Sequence, residues 1–420
     1  MVKRENSKYY HLISALIFIP SFNYYLSELM VKNWGLFSPT AFFYITLYVL
    51  SLVAVFLLLF KKTSLFLIFV FLSLLAVLNT YLFGNFKFAF TEWNDLPYNP
   101  IYKFVFLCLP YLFLPVFIKS PLKLLKILFV YSLINTLIAL FTFVSFLSKS
   151  IQYEYMSFSY NMLFSSTFVF YYSTVHLKKR IVPLLVSIMS FAVIALAGSR
   201  GALICLLTYL LFFFLFIKNK KNSVKKSITI ILIILLFGIV FFNIQSIASF
   251  LSDILGKEEF TSRVLDRIGN DSFFTDKNRS LLYKTVLQSI LDKPIFGNGL
   301  FGDRKIVFYN LPEYPDGTYT HNILLEFFCE FGLIVGLISL LVVAFYFCGF
   351  LKRNRNNVYF DFALALFSCE FIRLLFTGSF LESPAFFFMI GLVFFEAPTY
   401  AKGINYCSDV QLGINNRQMC

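Results

Sequence analysis

One polar stretch, Asn278–Gly332, gathers the side chains best suited to chemistry in a chain that is otherwise mostly apolar. Arg279 precedes Leu281, Leu282, Val286, Leu287 and Ile290, a spacing that predicts an amphipathic helix ended by Pro294 and Gly297. Asp276 or Asn278 would cap it. A guanidinium in that first turn, beside free backbone N–H groups at a positive helix end, is suited to holding an anion. The alternative is an arginine that pairs with Asp276 or is simply solvated. The turn Pro294-Ile295-Phe296-Gly297-Asn298-Gly299 lacks the Lys-Ser/Thr ending of a nucleotide phosphate loop.

His321 follows, next to Asn322, with Glu326 and Glu330 one and two turns on. An imidazole titrates near about 6.5 and can take a proton from a hydroxyl as a general base. The other reading is an interfacial histidine that caps or anchors a helix. His11 and His176 lie at the ends of apolar runs and read as structural. Glu370 and Arg373, spaced i, i+3 inside an apolar run, are expected as an ion pair or as part of a polar chamber.

These groups must be positioned by membrane helices. The chain has 420 residues, 59% hydrophobic and 20% aromatic, with only 14% charged; soluble domains carry about 25% charged residues. The expected fold is all-α and polytopic, with about twelve spans of roughly 20 residues each. They fall near 10–30, 40–60, 63–83, 101–118, 122–147, 158–176, 181–198, 201–217, 227–246, 322–350, 358–378 and 381–397. The first run reads as an uncleaved start-transfer helix. The run 181–217 is too long for one crossing and is expected to break at Gly198-Ser199-Arg200-Gly201, which puts Arg200 at the outer surface.

Lys and Arg alternate between loops, which places both termini in the cytoplasm by the positive-inside rule. The net charge of +14 therefore reads as topology, and nucleic acid is excluded as a partner. The expected organisation is a bundle over residues 1–246, a large, partly helical outer loop over 247–321, three further spans over 322–397, and a cytoplasmic tail over 398–420. Residues 247–320 hold nine Lys/Arg and ten Asp/Glu, a net of −1, so the loop offers individually placed residues and no bulk charge. Seven cysteines show no metal-site spacing, and neither a metal nor a cofactor is expected.

Two motifs resemble those of the O-antigen ligase and O-antigen polymerase superfamily of bacterial envelope glycosyltransferases. Ala197-Gly198-Ser199-Arg200-Gly201 looks like its Ser-Arg-Gly turn. Arg279, Pro294, Gly297, Gly299 and His321-Asn322-x-x-Leu325-x6-Gly332 are similar to its large outer loop and closing signature. The likeness covers about residues 180–345. It implies an inverting, metal-independent transferase in the bacterial inner membrane, with a glycan on undecaprenyl diphosphate as donor.

By that resemblance Arg200 and Arg279 hold the diphosphate, and His321 activates the acceptor hydroxyl or helps position the reacting ends. Arginine suits a diphosphate because it binds oxygens bidentately. Asn322, Glu326, Arg304, Arg373 and Glu370 are candidate substrate contacts, and Arg263 and Arg267 are secondary ones without a motif match. The implied partners are the lipid-linked oligosaccharide, an acceptor glycan or lipid A–core, membrane lipid and a chain-length regulator protein. Polymerase is the favoured reading and ligase the alternative. A flippase is disfavoured, because no internal repeat is visible and the polar residues gather in one loop.

Overall fold

The computed structural model describes residues 8–34, 40–90, 99–149, 155–177, 181–196, 199–218, 277–315, 317–355 and 357–395. The expected span at 227–246, most of the expected loop before Lys277, Arg263, Arg267 and the tail over 398–420 lie outside them. Every regular element among the described residues is helical.

The N-terminal elements are α1 (Lys8–Trp34), α2 (Thr40–Lys61), α3 (Thr63–Leu82), the short α4 (Phe86–Phe90), α5 (Pro100–Phe117), α6 (Pro121–Lys149), α7 (Tyr155–Val175), α8 (Ile181–Leu196) and α9 (Arg200–Phe212). A π-helical turn, Phe213–Lys218, extends α9. The break between α8 and α9 falls where the glycines predict it, and the Ser199 hydroxyl accepts from Ala202 N. That side chain satisfies one of the free N–H groups at the helix start.

Among the described residues, four helices are long and apolar enough to cross a membrane: Thr63–Leu82, Pro100–Phe117, Pro121–Ser145 and Leu333–Asn354. They differ in position. α5 is 67% buried and sits at the centre, whereas α3 is 17% buried, as expected where an apolar helix meets lipid. α5 carries Pro110 and Pro115 and changes pitch around them, with a π turn at Lys103–Cys108 and a 3-10 turn at Leu114–Phe117. Neighbouring helices compensate the backbone bonds that proline removes.

Then come α10 (Lys277–Asp292), α11 (Gly302–Asn310) and α12 (Ile323–Phe331). They are joined by a core of their own, in which Leu282, Val286 and Ile290 of α10 meet Val307, Leu311 and Cys329. The i, i+4, i+8 spacing of the α10 residues makes that face. α13 (Leu333–Asn354), α14 (Val358–Leu366, continued by Phe367–Phe371 and Ile372–Leu374) and α15 (Pro384–Phe394) complete the described chain.

One expectation needs correcting. The run 322–350 is not one helix. It breaks at Gly332, whose φ is +77°, so the helix that could cross a membrane starts at Leu333. α12, with Glu326 and Glu330, is a separate element.

The break is locked from the other side. Asn298 N donates to Cys329 O at 2.8 Å, Gly299 N to Glu330 O at 2.9 Å, and Ile334 N to Pro294 O at 2.9 Å. A Cβ on Gly297 would stand 2.6 Å from Glu330 O and 2.7 Å from Cys329 O, and one on Gly332 would stand 2.7 Å from Gly297 N. Both residues also have positive φ. Gly297→Ala and Gly332→Ala are each expected to destabilise the protein by about 1–3 kcal/mol from strain alone, with the clash added. The check is the melting midpoint of the detergent-purified variants; an unchanged midpoint would contradict this close packing.

The same turn is tied to α3 and α4. Asn85 Nδ2 donates to Asn298 O and Leu300 O at 2.7 and 2.9 Å, and Leu300 N donates to Asn79 Oδ1 at 2.7 Å.

Candidate functional site

The segment Leu375–Phe380, which links α14 to α15, is where the motif-bearing elements meet. Arg279 in the first turn of α10 donates to Phe376 O at 3.0 Å. Asn322 caps α12 by accepting from Leu324 N and Leu325 N at 3.0 and 3.3 Å, and its Nδ2 donates to Leu375 O at 3.2 Å. Gly201, at the start of α9, faces the same residue: a Cβ there would lie 3.2 Å from Phe376 Cβ. Three helix N-termini thus converge on one short segment. Each such end carries a partial positive charge from the helix dipole. Arg200 is the first residue of α9; its main chain is at this junction.

Below the junction is a buried cluster of charge. Arg304, in the first turn of α11, is 2% exposed. Its guanidinium lies 2.7 Å from Glu382, 3.5 Å from Asp303 and 3.8 Å from Glu326. Lys103, near the start of the central α5, reaches the other oxygen of Glu382 at 3.0 Å. Glu326 also accepts from the Ser379 hydroxyl and from Phe380 N, and Glu330 accepts from Phe301 N at 3.0 Å. The carboxylates of Asp303, Glu326 and Glu330 bring one oxygen each within 4.8 Å of one another. Such a group could hold a cation, but the Arg304 guanidinium already lies against two of the three.

Four carboxylates, Asp303, Glu326, Glu330 and Glu382, face two cations, Arg304 and Lys103. Protons make up part of the difference. Burial pushes the Glu326 carboxyl up to about 8, with the Asp303 charge adding to the rise. Burial also raises Glu330, helped by Glu326 and Asp303. Glu382 is held between the two cations, Lys103 and Arg304.

A pH dependence follows. An unfolded chain releases a glutamate proton near about 4.3, whereas the folded protein keeps the Glu326 proton up to about 8. Between these values the folded state binds more protons, so its stability falls as pH rises. The melting midpoint is expected to fall from pH 5 to pH 8, and Glu326→Gln to flatten the fall. A midpoint that rises over this range would contradict the assignment.

His321 sits between the junction and the cluster. It adopts φ +53°, a left-handed conformation uncommon outside glycine. Its ring lies 4.2 Å, centroid to centroid, from that of Tyr319. The Arg304 guanidinium stands 5.3 Å from the Tyr319 ring and 5.0 Å from that of Phe301. Thr320 N donates to Asp303 Oδ2 at 3.1 Å, and the Thr320 hydroxyl donates to Asn322 O at 3.3 Å.

Of the residues singled out by sequence, Arg279, His321 and Asn322 come together with the start of α9. Glu326 and Arg304 are internal partners of each other. Glu370 and Arg373 form the expected ion pair at 2.8 Å, and Ser383 joins it at 3.3 Å to each. His176 lies apart, hydrogen-bonded to Tyr171, whose hydroxyl reaches Asp361 of α14 at 3.1 Å.

Sequence reasoning missed Asp303, Tyr319, Ser379, Glu382 and Lys103. The available signal was Glu326 and Glu330, two carboxylates one turn apart on an otherwise apolar helix. Such a pair needs a buried cation.

No curated protein matches the chain. Residues 185–341, the stretch that holds Arg200, Arg279 and His321, match the family model described as O-Antigen ligase. The match supports the resemblance of this stretch of the chain to the O-antigen ligase and polymerase superfamily.

Proposed function

We propose that the protein is a membrane glycosyltransferase that joins lipid-diphosphate-linked oligosaccharide repeats into O-antigen or capsular polysaccharide. In this reading the chain crosses the bacterial inner membrane about twelve times, with both termini in the cytoplasm and the site at the outer face. The observation that carries it is the convergence of three helix N-termini on Leu375–Phe380. Arg200 and Arg279 lie in the first turns of two of these helices, and the third follows His321. Positive helix ends and guanidinium groups are what a diphosphate needs.

The reaction is a single displacement. The acceptor hydroxyl oxygen bonds to the anomeric carbon as the bond from that carbon to the phosphate oxygen breaks. The electron pair leaves with the lipid diphosphate, whose growing charge Arg200 and Arg279 stabilise. The hydroxyl proton passes to His321. The anomeric configuration inverts, and the arginines do the work a metal does elsewhere.

The test is a deletion strain run on a glycan-staining gel. Lipid A–core carrying a single repeat is the expected result. Bare lipid A–core, with polymer left on the carrier lipid, would make the protein a ligase. An unchanged pattern would overturn both. In a Gram-positive source the readout is capsule chain length.

A further inference from the structure

We infer that Tyr319, backed by Arg304, is a positioning residue that sets the orientation of the His321 imidazole. The inference rests on the role given to His321 above. His321 holds a left-handed backbone conformation, φ +53°, which costs an ordinary residue energy and persists only where the surroundings fix it.

Three contacts fix it. Asp303 takes the N–H of Thr320 at 3.1 Å. Asn322 is committed to the α12 N-terminus and to Leu375 O. Between them the Tyr319 ring packs on the imidazole at 4.2 Å with the planes tilted by 46°. Tyr319 is itself held in place, because the buried Arg304 guanidinium stands over its ring at 5.3 Å. A cation over an aromatic face is attracted by the ring quadrupole, most strongly when water is excluded. The sequence is therefore guanidinium, phenol ring, imidazole, with the buried carboxylates fixing the first.

The ring makes these contacts, so the aromatic face is what the device needs. Without it the imidazole can turn away from the acceptor hydroxyl, and a displacement of about 1 Å in a reacting group can cost on the order of 100-fold in rate. Substrate binding by the arginines of α9 and α10 would not change.

The experiment is turnover of purified enzyme in detergent with undecaprenyl-diphosphate-linked repeat units as donor. Wild type, Tyr319→Leu, Tyr319→Phe and His321→Ala are compared, with a melting midpoint for each. Tyr319→Leu is expected to lower kcat by about 10- to 100-fold, with KM for the lipid-linked donor and the melting midpoint close to wild type. Tyr319→Phe, which keeps the ring, is expected to restore most of kcat.

Wild-type turnover in Tyr319→Leu, beside an inactive His321→Ala, would overturn the positioning role alone. So would a kcat loss matched by a fall in the midpoint, or a Tyr319→Phe as slow as Tyr319→Leu. Wild-type turnover in His321→Ala would instead remove the catalytic assignment on which the inference rests.

Discussion

Arg304→Met is expected to destabilise the protein by about 3–5 kcal/mol, the range seen when one partner of a buried ion pair is removed. The reason is the count of charges around it. Its guanidinium is the nearest cation to Asp303 and Glu326, and it shares Glu382 with Lys103. Methionine fills a similar volume but leaves Asp303 without its nearest counter-charge and Glu382 with Lys103 alone in a dry interior. Those two groups must then take up a proton or draw in water, and either disturbs the packing around α11 and α12.

Arg304→Lys should recover only part of the loss. Lysine is a compact point charge, and it cannot present a planar fork to three carboxylates. The measurements are protein level in membranes and melting midpoint in detergent. A stable Arg304→Met protein with a wild-type midpoint would contradict a charge on Asp303 and Glu382 that needs Arg304.

His321→Ala is expected to leave the protein level unchanged and lower chain elongation by about 100- to 10,000-fold, the usual contribution of a general base. The substitution removes a ring at the edge of the buried cluster, not within it, so the loss should appear in rate and not in stability. Glycan length on a gel and turnover with purified donor both read it out. Chains of wild-type length in the variant would sink the catalytic role.

The two substitutions act on neighbouring features that differed in how visible they were in the sequence. His321 and Arg279 stood out because each is a rare polar residue at the start of a predicted helix. The α8–α9 break was legible in Gly198-Ser199-Arg200-Gly201, and the buried face of α10 in Leu282, Val286 and Ile290.

The break at Gly332 was hidden because apolar residues run on both sides of it. Hydropathy does not see a positive φ; that conformation comes from the Pro294–Gly299 turn docking against it. The carboxylate cluster was hidden for another reason. Arg304 and Glu382 are 78 residues apart, and Lys103 and Glu382 are 279 apart. No local pattern links them, and an Asp-Arg pair at a helix start reads like any solvated pair until its burial is known.

That separation bears on the order of synthesis. Lys103 is made 279 residues before Glu382. Asp303 and Arg304 emerge between them, and Glu326 binds Ser379 and Phe380, which are made just before Glu382. Until residue 382 has been made, the cluster lacks the carboxylate that joins its two cations. The buried charges therefore cannot all come together before residue 382 is made, and a nascent chain that stops short of it exposes an incomplete polar core to quality control.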